Sequence, residues 1–304
     1  VFEFFAQPGM PVGQVTAMRR ANDGNILIGM FSGDVVKYYV DKKTFEPILT
    51  LSKMQAFSQG PAGLIYTVYE DNEGNIWSSI LSYGVCRYEK SKNRYTLFNT
   101  ANGLSVNKIK CIYQDREGNI IFGTQGQGID VFKGEKFVSF MQSGGLINNQ
   151  VFSICQDKNL NYWFGTNEGL SIYNSNEKTF KNFFSIGNLI NNSVRALATD
   201  KQGNVWIGTW GGKVTKYDVL NSRFVATDGL NEIIKPFVSC LLVDQKNKLW
   251  VGTGDGLACM DLNSGSLSTY RKLNGLSDND ISCLFEDSKG RIWIGTKQKG
   301  INVF

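Results

Sequence analysis

Histidine is missing altogether from this 304-residue chain. Its absence removes the commonest general base, the commonest transition-metal ligand and the phospho-accepting residue of a histidine kinase. Proline is scarce, at five, and the six cysteines include no Cys-x-x-Cys pair. Neither a redox motif nor a cysteine zinc site is therefore written here, and no cofactor is called for. All six cysteines (Cys86, Cys111, Cys155, Cys240, Cys259, Cys283) read as buried free thiols and leave the compartment open. No apolar run approaches the ~20 residues that span a bilayer. The 32 basic and 27 acidic residues give a net charge of +5 without a basic run, so no nucleic-acid partner is indicated. The chain begins inside a strand-like segment, Val1-Phe2-Glu3-Phe4-Phe5, and is expected to be a portion of a longer protein whose targeting signals lie outside it.

What is present is a repeat. Asp-x-x-Gly-Asn, a hydrophobic–Trp pair, Gly-Thr and Gly-hydrophobic recur in that order, most clearly from Asp200 to Trp210 and from Asp287 to Lys297. The Trp position is held in turn by Leu27, Trp77, Ile121, Trp163, Trp206, Trp250 and Trp293, at spacings of 50, 44, 42, 43, 44 and 43 residues. A period near 43 with four strand-like runs per unit is the arithmetic of a β-propeller. The third unit shows the runs as Ile109–Gln114, Asn119–Gly123, Gly128–Phe132 and Lys136–Phe140, short, β-branched or aromatic, and punctuated by Gly and Asn. The expected fold is an all-β, seven-bladed propeller of four-stranded antiparallel blades, occupying residues 1–304 as one domain.

The seventh unit stops after its third strand, at Gly300-Ile301-Asn302-Val303-Phe304. In the third unit Gly128-Ile129-Asp130-Val131-Phe132 continues into Phe137, Phe140, Gly145, Leu146 and Val151, and the N-terminus repeats those spacings as Val1, Phe4, Gly9, Met10 and Val15. Residues 1–5 are therefore expected to complete the last blade, which closes the ring and removes its sheet edges.

Several repeated residues are assigned to the fold. The motif aspartate is expected to accept from backbone N–H groups in a tight turn whose glycine takes positive φ. With one carboxylate it lacks the oxygen ligands of a calcium loop. Gly13, Gly63, Asn107, Asn149, Asn192 and Asn279 precede the first strands by two residues, and Gly–Asn exchange suggests positive φ there as well. Cys111, Cys240 and Cys283 stand four residues before the aspartate, where other units have Ala17, Thr67, Ser153 and Ala196, so that position wants a small side chain. The repeated tryptophans are expected to pack blade on blade.

The repeat, with its Gly-Leu-Ser loops at Gly103-Leu104-Ser105 and Gly275-Leu276-Ser277, resembles the two-component regulator propeller over essentially the whole chain. The resemblance implies the periplasmic sensor region of a hybrid histidine kinase, with a second propeller, a β-sandwich, a membrane span and the kinase lying outside these residues. It also implies recognition of a glycan-derived oligosaccharide and a homodimer in the full receptor.

Within one ring, positions that differ between units are free for function. Connectivity places the second-to-third-strand loops and the loops entering each first strand on one face. From that face come the candidate ligand-binding residues Tyr83, Lys110, Glu168, Arg195, Trp210 and Asp255. Tyr66, Lys110, Phe152 and Arg195 share one position at the start of the innermost strand. Tyr83 draws attention because Ser79-Ile80 replaces Gly-Thr beside it without an evident packing motive. Aromatic planes with amide and charged groups suit a sugar or an acidic sugar. The leading reading is a sensor propeller that transmits by rigid-body movement. The alternative is a protein-interaction scaffold without a small-molecule ligand. An enzyme ranks third, resting on no more than a carboxylate pair such as Glu168 and Asp255.

Overall fold

The computed structural model describes the backbone of residues 3–4 and residues 13–50, 64–134, 136–185 and 192–304. They form seven four-stranded antiparallel sheets, six built from consecutive strands and the seventh in the order first, last, next-to-last and third-from-last along the chain. Blades 1 to 6 take residues 15–49, 65–98, 109–140, 151–183, 194–225 and 238–270. Blade 7 takes Ile281–Glu286, Ile292–Thr296 and Ile301–Val303, and Glu3–Phe4 pairs with the last of these as the fourth strand. The ring thus closes through the N-terminal strand. Phe4 pairs with Asn302, one residue out from the register implied by the 136-residue offset, and so short a strand has few ladder bonds with which to fix its register. Val1, Gly9, Met10 and Gly63 lie outside the described residues.

The strands of blade 3 fall within one residue of the expected bounds: Ile109–Gln114, Ile120–Thr124, Ile129–Lys133 and Lys136–Phe140. The second strand of every blade is wholly buried apart from one terminal lysine, because blades cover both of its faces. One short α-helix, α1 (Asp228–Ile233), interrupts the pattern before blade 6 and buries Leu230.

The aspartate turns repeat one construction. Asp71 Oδ1 accepts from the backbone N–H groups of Glu73 and Asn75, two and four residues on, and Asp115, Asp157, Asp244 and Asp287 do likewise. The turn residue before the last donor has φ between +74° and +90° where it is glycine, and Leu160 and Asn247 hold +66° and +61° in the other two blades. The second oxygen has a partner not foreseen from the motif. The indole N–H groups of Trp77, Trp163, Trp206, Trp250 and Trp293 donate to Asp71, Asp157, Asp200, Asp244 and Asp287 at 2.7–3.0 Å. Each tryptophan therefore satisfies a carboxylate, buried in every case but the half-buried Asp200, while its ring packs on the next blade, as Trp163 does on Tyr217 at 4.9 Å. Where the motif carries Leu27, the aspartate is also gone, replaced by Ala21. Where it carries Ile121, Asp115 instead accepts the hydroxyl of Tyr162 from the next blade, at 2.8 Å.

Two sequence expectations need correction. Asn107, Asn149, Asn192 and Asn279 do not adopt positive φ. They act through their side chains: the amide oxygens of Asn107, Asn149 and Asn279 accept from the backbone N–H groups of Thr100, Gln142 and Lys272, seven residues back, which folds the inter-blade loop onto itself. Ser79 does have a packing motive. Its hydroxyl accepts the backbone N–H of Thr67 at 3.1 Å, and the ladder skips from Ile65 to Val68 to make room. In blade 3, the glycine equivalent to Ser79 is Gly123, where a Cβ would come within 2.4 Å of Cys111 Sγ and 2.9 Å of Val151 in the next blade. The same contact explains why the cysteine position takes small side chains.

Candidate functional site

The innermost strands surround a central channel, and their second residues (Thr16, Tyr66, Lys110, Phe152, Arg195, Ser239, Ser282) ring its mouth. The bulge that offsets each innermost strand at this point separates the opening residue, buried in the blade, from the residue that faces the channel. Two arcs result. Thr16, Ser239 and Ser282 turn their hydroxyls to the backbone carbonyls of Gly29, Ile281 and Val15. Blades 2 to 5 instead present two aromatic rings and two cations.

These four groups are stacked in pairs. Lys110 Nζ lies 3.7 Å from the centroid of the Tyr66 ring. The Arg195 guanidinium lies 3.7 Å from the Phe152 centroid and 4.9 Å from that of Trp210. Trp210 in turn stacks on Phe237, with centroids 4.5 Å apart and planes within 10°. Lys297 Nζ is 5.3 Å from the other end of the row, over Phe237, and pairs with Asp280. The stack encloses a mouth cavity of about 340 Å³ that narrows into a channel of about 200 Å³.

The charge in this space is one-signed. Among the described residues, the lining includes Arg19, Lys110, Arg195 and Lys297 and no aspartate or glutamate. Arg195 Nε is buried without a hydrogen-bond partner. Burial pushes the guanidinium's pKa down. A buried N–H that lacks an acceptor is costly, and an anionic group placed on this half-buried guanidinium would recover that cost.

The six candidate residues divide. Lys110, Arg195 and Trp210 meet at the mouth. Tyr83 is half-buried and packs against the core of blades 1 and 2. Asp255 is tied into the blade by Arg271 at 3.1 Å and by the Asn279 amide at 3.4 Å. Glu168 is exposed on its loop in blade 4, two blades from Asp255, and neither lines the mouth. Phe237 was not foreseen. Its signal lay in the sixth unit, where Pro236 stands at the position that asparagine holds in units 3, 4, 5 and 7, and where Phe237 comes to stack on Trp210.

Burial pushes the thiols of Cys86, Cys111 and Cys240 up to about 12 and those of Cys259 and Cys283 to about 11, and raises that of Cys155 further, so none is a thiolate at neutral pH. Among the described residues no group of three Cys, Asp or Glu side chains could hold a metal ion.

Comparison with known proteins bears on the repeat. The sequence model of the two component regulator propeller matches residues 103–126, 145–168, 188–211 and 275–298, each running from a Gly-Leu-Ser-type loop to the residues after Gly-Thr. The chain carries two component regulator propeller repeats. A histidine kinase of Formosa agariphila is 25% identical to this propeller over 165 residues, which are 52% of this chain and 12% of that protein. Among solved structures, the extracellular domain of a protein from B. thetaiotaomicron, described there as a hybrid two component system, superposes with a TM-score of 0.83 at 22% identity, over 99% of this chain and 41% of that one. The chain thus spans less than half the length of either. Virginiamycin B lyase from Staphylococcus aureus shares the fold, with a TM-score of 0.78 over 100% of the chain at 12% identity, and its crystallised inactive form carries alanine in place of a histidine. The present chain contains no histidine. Among its described residues, no helix is long and apolar enough to cross a membrane.

Proposed function

We propose that this propeller is the ligand-binding part of a two-component signalling receptor, and that its mouth takes an anionic, glycan-derived oligosaccharide. The observation that carries the reading is Arg195: a guanidinium between Phe152 and Trp210, with a buried Nε that has no partner, in a channel whose described lining includes no acidic side chain. A carboxylate or sulfate would sit on Arg195 and Lys110, while the exposed part of the Trp210 ring, held in place by Phe237, gives a sugar ring apolar contact. Signalling would follow from rigid-body movement against further domains of the receptor, a second propeller or a β-sandwich, or across a homodimer in the periplasm. On this reading the domain binds and does not turn over its ligand. A protein-interaction scaffold is the second reading, favoured by the exposure of Phe31 and Trp210 (57% and 47%) on the rim.

Titration calorimetry of the purified domain with uronate-bearing and sulfated oligosaccharides, alongside their neutral counterparts, tests this. Binding confined to the acidic set, weakened roughly 10–100-fold by Arg195→Ala as for a lost hydrogen bond to a charged group, supports it. Equal binding of neutral and acidic sugars, or an Arg195→Ala variant that binds like the parent, would overturn it.

A further inference from the structure

On the face opposite the mouth, five blades seat an indole against an aspartate, and blade 3 does not. Ile121 stands where the tryptophan should be. The slot between blades 3 and 4 is open, with a volume of about 310 Å³, and Ile121, Ile129, Val131, Phe140, Phe164 and Phe180 are among its walls. The corresponding slot between blades 4 and 5, where Trp163 is present, is about 210 Å³ and lined mainly by polar side chains.

The polar end of the seat is still built. Asp115 is buried at 3% exposure and keeps the turn bonds, with Oδ1 accepting from the backbone N–H groups of Glu117 and Asn119 and Oδ2 accepting from the Asn119 amide. Only the indole N–H is replaced, by the Tyr162 hydroxyl. Tyr162 itself sits where the other blades have Ile, Val or Leu. A phenol that donates its hydrogen to a carboxylate keeps lone pairs free and becomes a better acceptor through that bond. The slot therefore has an apolar and aromatic inner wall, a rim that includes Glu117, Lys133, Asn176 and Lys178, and the Tyr162 hydroxyl oriented by Asp115, which together complement a planar ring with an N–H.

We infer that the slot between blades 3 and 4 is a binding site for a small planar aromatic molecule bearing an N–H donor, of the indole class. The ring takes the volume left by the missing tryptophan, and its N–H meets the Tyr162 hydroxyl oxygen, whose hydrogen is committed to Asp115. The site lies across the molecule from Arg195 and does not depend on the anionic-ligand reading.

Indole itself is the probe. Saturation-transfer NMR on the intact propeller should show indole binding, with intermolecular NOEs from its ring to the methyl groups of Ile121, Ile129 and Val131. N-methylindole, which lacks the donor, should bind several-fold more weakly. Ile121→Trp, which supplies the ring covalently, should reduce indole binding at least about tenfold, whereas Arg195→Ala should leave it unchanged. Absence of saturation transfer to indole, NOEs from other parts of the ring, or equal binding of indole and N-methylindole would each overturn the assignment. So would a tryptophan side chain from another receptor domain occupying the slot in the full-length protein. The NOE pattern is read on the parent protein, so the test stands even if Ile121→Trp fails to fold.

Discussion

The two faces of the ring are built from the same seven repeats to opposite ends. At the aspartate turns the blades agree: carboxylate, turn amides and indole recur at nearly constant distances, and blades lacking one partner lose or replace the other, as Ala21 with Leu27 and Asp115 with Tyr162 show. At the mouth neighbouring blades disagree. One channel position carries Thr, Tyr, Lys, Phe, Arg, Ser and Ser in turn. Three of these seven side chains bond backbone carbonyls, and the other four pair as cations over aromatic rings. Agreement marks what the fold needs to bury its turns. Disagreement is affordable at the mouth only because the opening residues behind it carry the packing.

The comparison breaks most severely at the seam. Deleting residues 1–6 exposes the edge of Ile301–Val303 beside buried Trp293 and Ile301, and is expected to lower the melting temperature of the whole ring more than any single substitution. An unchanged thermal melt after that deletion would show that the seam carries no load. A sharper contrast comes from two tryptophans. Trp163→Ala removes a buried ring and leaves Asp157 short of a donor, at an expected cost of about 3–5 kcal/mol in denaturant unfolding. Trp210→Ala at the mouth should change stability by no more than about 0.5–1 kcal/mol. Similar costs at both sites would erase the distinction between the faces.

The smallest effect belongs to the outer edge of blade 2. Lys92, with Arg94 and Arg87 beside it, holds the Glu89 carboxyl down to about 2. An unfolded glutamate titrates near ~4.3. The stabilisation from this cluster is therefore complete above that pH and is lost as the pH falls toward 2. Glu89→Gln should flatten the acid-unfolding curve within that window and leave its neutral baseline shape alone. A curve of unchanged steepness there would mean the cluster adds nothing.

Period, strand order and closure were legible in the sequence because each rests on spacing, which the chain carries directly. Radius was not. Tyr83, Glu168 and Asp255 lie on loops of the same face as the channel mouth, yet of the six candidates only Lys110, Arg195 and Trp210 reach the channel, since a loop's distance from the axis depends on how its blade tilts and what its neighbours fill. The indole–carboxylate bond was legible in principle: aspartate and tryptophan stand six residues apart, and they vanish together in the first unit. The loop asparagines misled because glycine and asparagine can serve one position by different means, one through backbone freedom and the other through a side-chain amide.

Closure by the N-terminal strand has a consequence for kinetics. Glu3 and Val303 are paired across 300 residues of chain, whereas the other blades are assembled from neighbouring hairpins. Because loop-closure entropy grows only as the logarithm of length, that distant pairing costs little more at equilibrium than a medium-range one. In time it is different: six local sheets can form before the two ends meet, and contacts absent from the folding transition state act mainly on the unfolding rate. The seam thus works as a latch, and slow hydrogen exchange throughout the ring would be governed by how often two residues let go.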